Sequence, residues 1–152
     1  MKALLQRVDR AQVTVNKEVV GSIQKGLLIY LGCCKFDGPE EAKKLARRVA
    51  GYRLFADQAG RTNLDVNQVK GEVLVVSQFT LSADTRKGRR PSFDSAMEPS
   101  RARELVELFC QTLRDLDLVV AEGAFGEEMS VASVNHGPAT YLLEIKPHTG
   151  QT

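Results

Sequence analysis

Most of the usual catalytic equipment is missing from this sequence. It has only two histidines, His136 and His148, and neither HExxH nor HxH spacing, which removes the common zinc patterns. No GxSxG segment occurs, so the nucleophile elbow of an α/β-hydrolase is absent. Neither a Walker-type loop nor GxGxxG is present to cradle a nucleotide cofactor. The three cysteines, Cys33, Cys34 and Cys110, include no CxxC pair, so neither a zinc ribbon nor a thioredoxin-like site is indicated. We expect no metal and no cofactor.

Other absences bound the setting. No apolar run approaches the roughly 20 residues of a membrane span, and Met1 to Arg7 lacks the apolar centre of a signal peptide. Unpaired thiols fit a reducing compartment. The expectation is a cytoplasmic protein with no membrane partner. Charge is nearly balanced, with 21 basic and 19 acidic residues and a net charge of +2. Any nucleic-acid contact must therefore come from local clustering of charge. There is no internal repeat and no low-complexity tract.

What is present is an ordinary globular composition, with 43% hydrophobic residues in 152. A chain of this size buries about 70% of its unfolded surface, enough for one core. We expect a single domain over 1–145 and a C-terminal tail over 146–152.

Lys2 to Val8 reads as an apolar strand, and Ala11 to Val15 alternates before a turn at Asn16-Lys17. Val19 to Ile23 reads as its return. Leu27 to Gly32 is continuously apolar, as in a strand covered on both faces. Pro39 opens a helix with Ala42, Leu45, Ala46 and Val49 on one face. Tyr52 to Phe55 reads as a short strand and Glu72 to Leu81 as a central one. A second helix starts near Pro99, with Leu105, Val106, Phe109 and Leu113 on its apolar face. Strands follow at Leu118 to Ala121, Met129 to Val134 and Thr140 to Ile145. This order is not the strict alternation of a doubly wound sheet. It predicts an α+β fold, mostly antiparallel, with helices covering a barrel-like core.

Three polar segments stand out. Ser77-Gln78-Phe79-Thr80 follows an aliphatic run, so polar groups and free amides gather at a sheet margin. Asn135-His136-Gly137-Pro138-Ala139-Thr140 lies between strand-like segments. It reads as a hairpin connection or as a rigid turn that aims a carbonyl into a pocket. Arg86-Lys87-Gly88-Arg89-Arg90 places four positive charges in five residues, either as a solvated loop or as a phosphate clamp. Nearby Phe93 is placed to stack on a base or to anchor the loop.

Together these segments resemble one family, the D-aminoacyl-tRNA deacylases of bacterial and eukaryotic type. The resemblance runs from Met1 to about Ile145. It rests on Gln6-Arg7-Val8, Gly26-Leu27-Leu28, Gly51-Tyr52-Arg53, Ser77-Gln78-Phe79-Thr80-Leu81, Arg90-Pro91-Ser92-Phe93, and Asn135 with Gly137-Pro138 and Thr140. Two positions depart from the pattern: Ala139 stands where valine is expected, and His136 where aspartate is common.

The resemblance implies hydrolysis of the ester between a D-amino acid and its tRNA, with L-esters rejected and glycyl-tRNA(Ala) as a second substrate. It implies a homodimer in which the Gly137-Pro138 turn, in the cis form, enters the partner's pocket. Arg7 would hold that turn through its carbonyls, and Asn135 would help bind substrate. The catalytic segment would be Ser77, Gln78, Phe79 and Thr80, with backbone amides stabilising an oxyanion. Arg86, Lys87, Arg89 and Arg90 would contact tRNA. Two other readings stand beside it: a non-catalytic RNA-binding module, and an esterase of small acyl substrates that uses Thr80 or a cysteine. A deacylase of altered chirality is a third, hinted at only by Ala139.

Overall fold

A computed structural model describes residues 1–147. Strand β1 (Lys2–Val15) is the spine of the molecule. It returns through β2 (Glu18–Ile23) and then β3 (Gly26–Gly32). β1 pairs with β3 through its first half, with β2 through its second, and with the last strand, β8 (Ser130–Glu144), along nearly all its length. Because β8 lies along both halves, β2 and β3 take successive lengths of the opposite edge. The two segments expected over Lys2 to Val8 and Ala11 to Val15 are thus one strand. Its pairing is irregular at several places, and one of them leaves Asp9 extra between the pairs Val8–Asn135 and Arg10–Val134.

After β3 come helix α1 (Pro39–Ala50), the short pair β4 (Phe55–Ala56) and β5 (Thr62–Leu64), and β6 (Glu72–Ser77). Helix α2 (Pro99–Asp115) then leads to β7 (Val119–Glu122). β3, β6 and β7 are parallel neighbours, joined by these two helical crossovers. The barrel-like, mostly antiparallel core with covering helices is as expected. The parallel centre is an addition, and it explains why Leu27 to Leu31 is apolar throughout.

Alternate residues of the central strands enter two cores. Leu27, Ile29, Leu31, Val73 and Val75 face the helices with Leu45, Val49, Phe109 and Leu113. Leu28, Leu74 and Val76 face the other way, against Val8, Ala11, Val13 and Ile23 of the curled β1–β2 ribbon. The ribbon closes on β7 at Gly21, where a Cβ would lie 2.3 Å from the Glu122 carbonyl oxygen, so no side chain fits there.

Among the described residues one charged side chain is buried. Asp37 is fully buried and accepts from the Met1 ammonium at 2.6 Å, and its other oxygen accepts from the Cys34 amide at 2.6 Å. Two buried charges this close satisfy each other, and removing one would strand the other. Among the described residues no helix is long and apolar enough to cross a membrane. Of the expected tail, Lys146 and Pro147 are described, and 148–152, with His148, lie outside the described residues.

Candidate active site

The parallel strands β3 and β6 end side by side at Leu31 and Ser77. In sheets built from helical crossovers, the carboxyl ends of such strands are where ligands gather. A cleft of about 470 Å³ opens there. Ser77 and Gln78 form its polar edge, while Phe79, Met97, Val106, Phe125, Met129 and Val131 line it with apolar groups. Arg103 lies 4.7 Å from the centre of the Phe125 ring, a cation–π contact behind that wall. These apolar lining residues were not singled out from sequence, because in a linear pattern they look like core.

The strand expected over Glu72 to Leu81 stops at Ser77, and Phe79–Ser82 form a turn of 3-10 helix. Gly32 makes room for that turn. A Cβ on it would lie 2.8 Å from the Leu81 Cβ and 3.1 Å from the Gln78 carbonyl oxygen, so the turn can settle on β3 only over glycine. The turn is then tied from several sides. The Gln78 amide donates to the Leu31 carbonyl at 2.8 Å, and Lys2 Nζ donates to the Leu81 carbonyl at 3.2 Å. Ser82 Oγ donates to the Cys33 carbonyl at 3.1 Å, and Ser95 Oγ donates to the Ser82 carbonyl. Phe79 and Thr80 are its first residues, where helical geometry leaves amide N–H groups without an internal acceptor. Both are exposed.

Thr80 Oγ1 accepts from Gln78 Nε2 at 2.5 Å, so its recorded partner is a donor and not a base. His136 lies elsewhere, on β8, with Nδ1 3.0 Å from Asp9 Oδ1. Cys33 does line the cleft, but burial pushes its thiol up to about 12, with Asp37 adding to the effect. Such a thiol is neutral near pH 7 and a poor nucleophile. Burial likewise raises Cys110 well above the ordinary thiol range.

The basic loop that follows is pinned at both ends. Asp84 and Ser92 exchange backbone hydrogen bonds at 2.8 and 3.0 Å. On its far side the Lys35 amide donates to the Ser95 carbonyl at 2.9 Å, and the Met97 amide donates to the Cys33 carbonyl at 3.2 Å. Arg86 is not free: it grips Asp84 with Nε at 2.9 Å and Nη2 at 2.6 Å. That guanidinium holds the Asp84 carboxyl well below the usual carboxylate range. Among the described residues no ion pair engages Lys87, Arg89 or Arg90. The expected group of four charges is therefore three open ones and one already matched.

The segment read as a hairpin connection at Asn135 to Thr140 is not one. Segments Met129 to Val134 and Thr140 to Ile145 belong to the same strand, β8, and both pair with β1. Gln6 pairs with Thr140 and Val8 with Asn135, so the four residues 136–139 oppose Arg7 alone, and three of them are surplus. Proline has no N–H for a ladder and is tolerated at such a bulge. The Gly137–Pro138 bond is cis, and both residues are exposed. Asn135 closes the base of the bulge, donating from Nδ2 to the Arg7 carbonyl at 2.9 Å and the Ala139 carbonyl at 3.5 Å. Arg7 holds the loop from beneath, but through the His136 carbonyl, at 3.1 Å from Nε, while its Nη1 donates to the Leu54 carbonyl at 2.6 Å. The carbonyls of Gly137 and Pro138, which Arg7 was expected to hold, are not the ones it contacts. The bulge presents the His136 carbonyl to Arg7 instead, while the imidazole meets Asp9. Ala139, in place of the expected valine, is buried at 3% exposure under the turn.

Thus the structure brings Ser77, Gln78 and Phe79 to the cleft, with Thr80 beside them on the same turn. It groups Arg7, Asn135, Gly137 and Pro138 at the β1–β8 edge, and none of these four lines the cleft of the same chain.

Comparison with known proteins agrees with this architecture. The family described as D-Tyr-tRNA(Tyr) deacylase matches residues 4–144. The chain belongs to that family. A D-aminoacyl-tRNA deacylase of Colwellia psychrerythraea (strain 34H) is 50% identical over 145 residues, covering 95% of this chain and 100% of that protein. One from Roseiflexus sp. (strain RS-1) is 53% identical over 144 residues, covering 95% and 93%. A solved structure titled as a c-Myc DNA unwinding element binding protein superposes with a TM-score of 0.91 at 36% identity, covering 96% of this chain and 99% of that one. Another, titled as a probable eukaryotic D-amino acid tRNA deacylase, shares the fold with a TM-score of 0.82 at 17% identity, covering 95% and 98%. The family expected from the Ser77–Thr80 and Asn135–Thr140 segments is the family found.

Proposed function

We propose that this protein hydrolyses the ester joining a D-amino acid to the 3′ end of its tRNA, spares the L-ester, and accepts glycyl-tRNA(Ala). The supporting observation is a roomy cleft edged by the Gln78–Thr80 turn, in a chain of the D-Tyr-tRNA(Tyr) deacylase family. The terminal adenosine would occupy the apolar cleft, leaving the ester at the Phe79 and Thr80 amides. Water attacks the carbonyl carbon, the amides hold the resulting oxyanion, and the C–O bond to the ribose breaks as the 3′ oxygen takes a proton. The neighbouring 2′-hydroxyl positions or activates the water, because Thr80 is paired with Gln78 and not with a base. Orientation and oxyanion stabilisation supply most of the rate.

Chirality would come from a second copy of the chain. In the assembled homodimer the exposed Gly137–Pro138 turn reaches the partner's cleft, and its carbonyl oxygens fill the space an L side chain needs. A D-amino acid or glycine presents only hydrogen there. The loop cations Lys87, Arg89 and Arg90 take acceptor-stem phosphates, with Arg86 a lesser contributor. This reading places the protein in the cytoplasm with its tRNA substrates.

Deacylation of matched D-tyrosyl-tRNA and L-tyrosyl-tRNA by the purified protein, with EDTA present, tests the proposal. Rapid loss of the D-ester alone is expected. Survival of both esters would count against the deacylase reading and favour a non-catalytic RNA-binding module. If both are lost, the Gly137–Pro138 turn is not a chiral filter.

A further inference from the structure

In the single chain, two large aromatic side chains at the mouth of the cleft are exposed. Phe79 is 59% exposed and Phe93 is 42% exposed. Their ring centres are 5.2 Å apart in an edge-to-face arrangement with an interplanar angle of 60°. A phenylalanine that merely anchors a loop is buried by what it anchors, and neither ring is. An edge-to-face pair also leaves the faces of the ring that presents its edge free of its partner.

The backbone beneath the pair is fixed. Phe79 begins the tied 3-10 turn. Phe93 lies directly after the Asp84–Ser92 pairing, and its carbonyl accepts from the Ala96 amide at 2.9 Å. Two exposed rings on separately secured segments form a rigid apolar step. Phe79 lines the cleft, and the loop that leads into Phe93 carries the open cations Lys87, Arg89 and Arg90. Apolar ring faces beside clustered cations match single-stranded nucleic acid, whose bases stack while its phosphates pair.

We propose that the Phe79–Phe93 pair is a stacking platform for the unpaired nucleobase that precedes the terminal adenosine of the substrate RNA. The proposal rests on the deacylase reading. Phe93 then acts on binding and not on the chemical step.

The test compares three substrates: a D-tyrosyl minihelix with an intact 3′ end, one with an abasic penultimate nucleotide, and D-tyrosyl-adenosine. Phe93→Ala is expected to raise KM for the intact minihelix roughly tenfold with kcat unchanged. It should leave hydrolysis of D-tyrosyl-adenosine as it was. The abasic change should cost the wild type the same factor and cost Phe93→Ala nothing further, and Phe93→Trp should restore KM. Equal loss on D-tyrosyl-adenosine would show that Phe93 only supports the turn and would overturn the proposal. So would an abasic penalty that persists undiminished in Phe93→Ala. If the wild type cleaves no ester, the deacylase reading fails by itself, and binding still decides the platform. The chain contains no tryptophan, so Phe93→Trp supplies a single indole that can be excited apart from the three tyrosines. Its emission should be quenched by the intact uncharged minihelix and not by the abasic one. Equal quenching by the two would reject stacking.

Discussion

Arg7 reaches across the β1–β8 edge and donates from Nε to the main-chain carbonyl of His136 at 3.1 Å, one residue before the cis Gly137–Pro138 bond. Its Nη1 is committed to the Leu54 carbonyl at 2.6 Å, so one planar group ties the bulge to the segment before β4. A lysine has the charge but not the fork. Arg7→Lys should therefore slow D-ester hydrolysis by about 10- to 100-fold, the range for a lost charge-assisted hydrogen bond. L-tyrosyl-tRNA should be cleaved faster than by the wild type as the turn loosens. An unchanged ratio of D- to L-ester rates would disconnect Arg7 from the turn's position.

Gly32 offers a second test, at the other half of the site. Its closest neighbours belong to the turn that carries Phe79 and Thr80, with Leu81 Cβ 2.8 Å from where a methyl would stand. Gly32→Ala must displace that turn or strain β3. Overpacking of this kind costs about 1–3 kcal/mol. The turn is the softer of the two, so kcat should fall further than the loss of stability explains. Denaturant unfolding and single-turnover rates on one preparation check it. Full activity in a destabilised variant would mean that β3 had yielded instead.

The two glycines show what could be read from the chain and what could not. Apolar periodicity marked both helices and most strands, because a face that must be buried repeats at 3.6 or 2 residues. It also marked Leu27 to Leu31 as covered on both sides. It could not show that β6 stops at Ser77, because the turn that follows settles against Gly32, far earlier in the chain. Nor could it show that Asn135 to Thr140 bulges from one strand, since bulge and hairpin use the same Gly-Pro signal and differ only in the partner, β1. The polar residues of the site were legible as motifs. The apolar wall of the cleft was not, because Met97, Phe125 and Met129 differ from core residues only in what they face. The Asp84–Arg86 pair was hidden within a run that looked uniformly basic.

Thr80 separates two chemistries. Its hydroxyl accepts from Gln78, and among the described residues it makes no hydrogen bond to a base. If orientation and the amides carry the reaction, Thr80→Ala should lower kcat by less than about tenfold, the scale of one lost neutral hydrogen bond. A nucleophile is not so easily removed, and its loss would cost several powers of ten. Trapping for a covalent aminoacyl-enzyme after rapid quenching should find none. A near-complete loss of turnover in Thr80→Ala with tRNA binding intact would refute the 2′-hydroxyl-assisted scheme.

The loop's charges should not act alike. Each phosphate contact made by an open cation steepens the salt dependence of binding by nearly one unit. Arg89→Ala with Arg90→Ala should flatten the slope of log affinity against log salt by about two. Arg86→Ala should flatten it by much less, because Asp84 already neutralises that guanidinium at 2.6 Å. The pair also sets the pH response. The Asp84 carboxyl is held below its ordinary value by Arg86, so whatever the contact contributes is complete above the ordinary carboxylate pKa. It is lost only as pH falls through the depressed folded value. Between about pH 5 and 8 the pair stays ionised, and the difference between Arg86→Ala and Arg89→Ala should be constant across that range. Fluorescence-monitored tRNA binding at several salt concentrations and two pH values measures both effects. Equal slopes for Arg86→Ala and Arg89→Ala would mean that RNA displaces Asp84 and recruits all four cations of the loop.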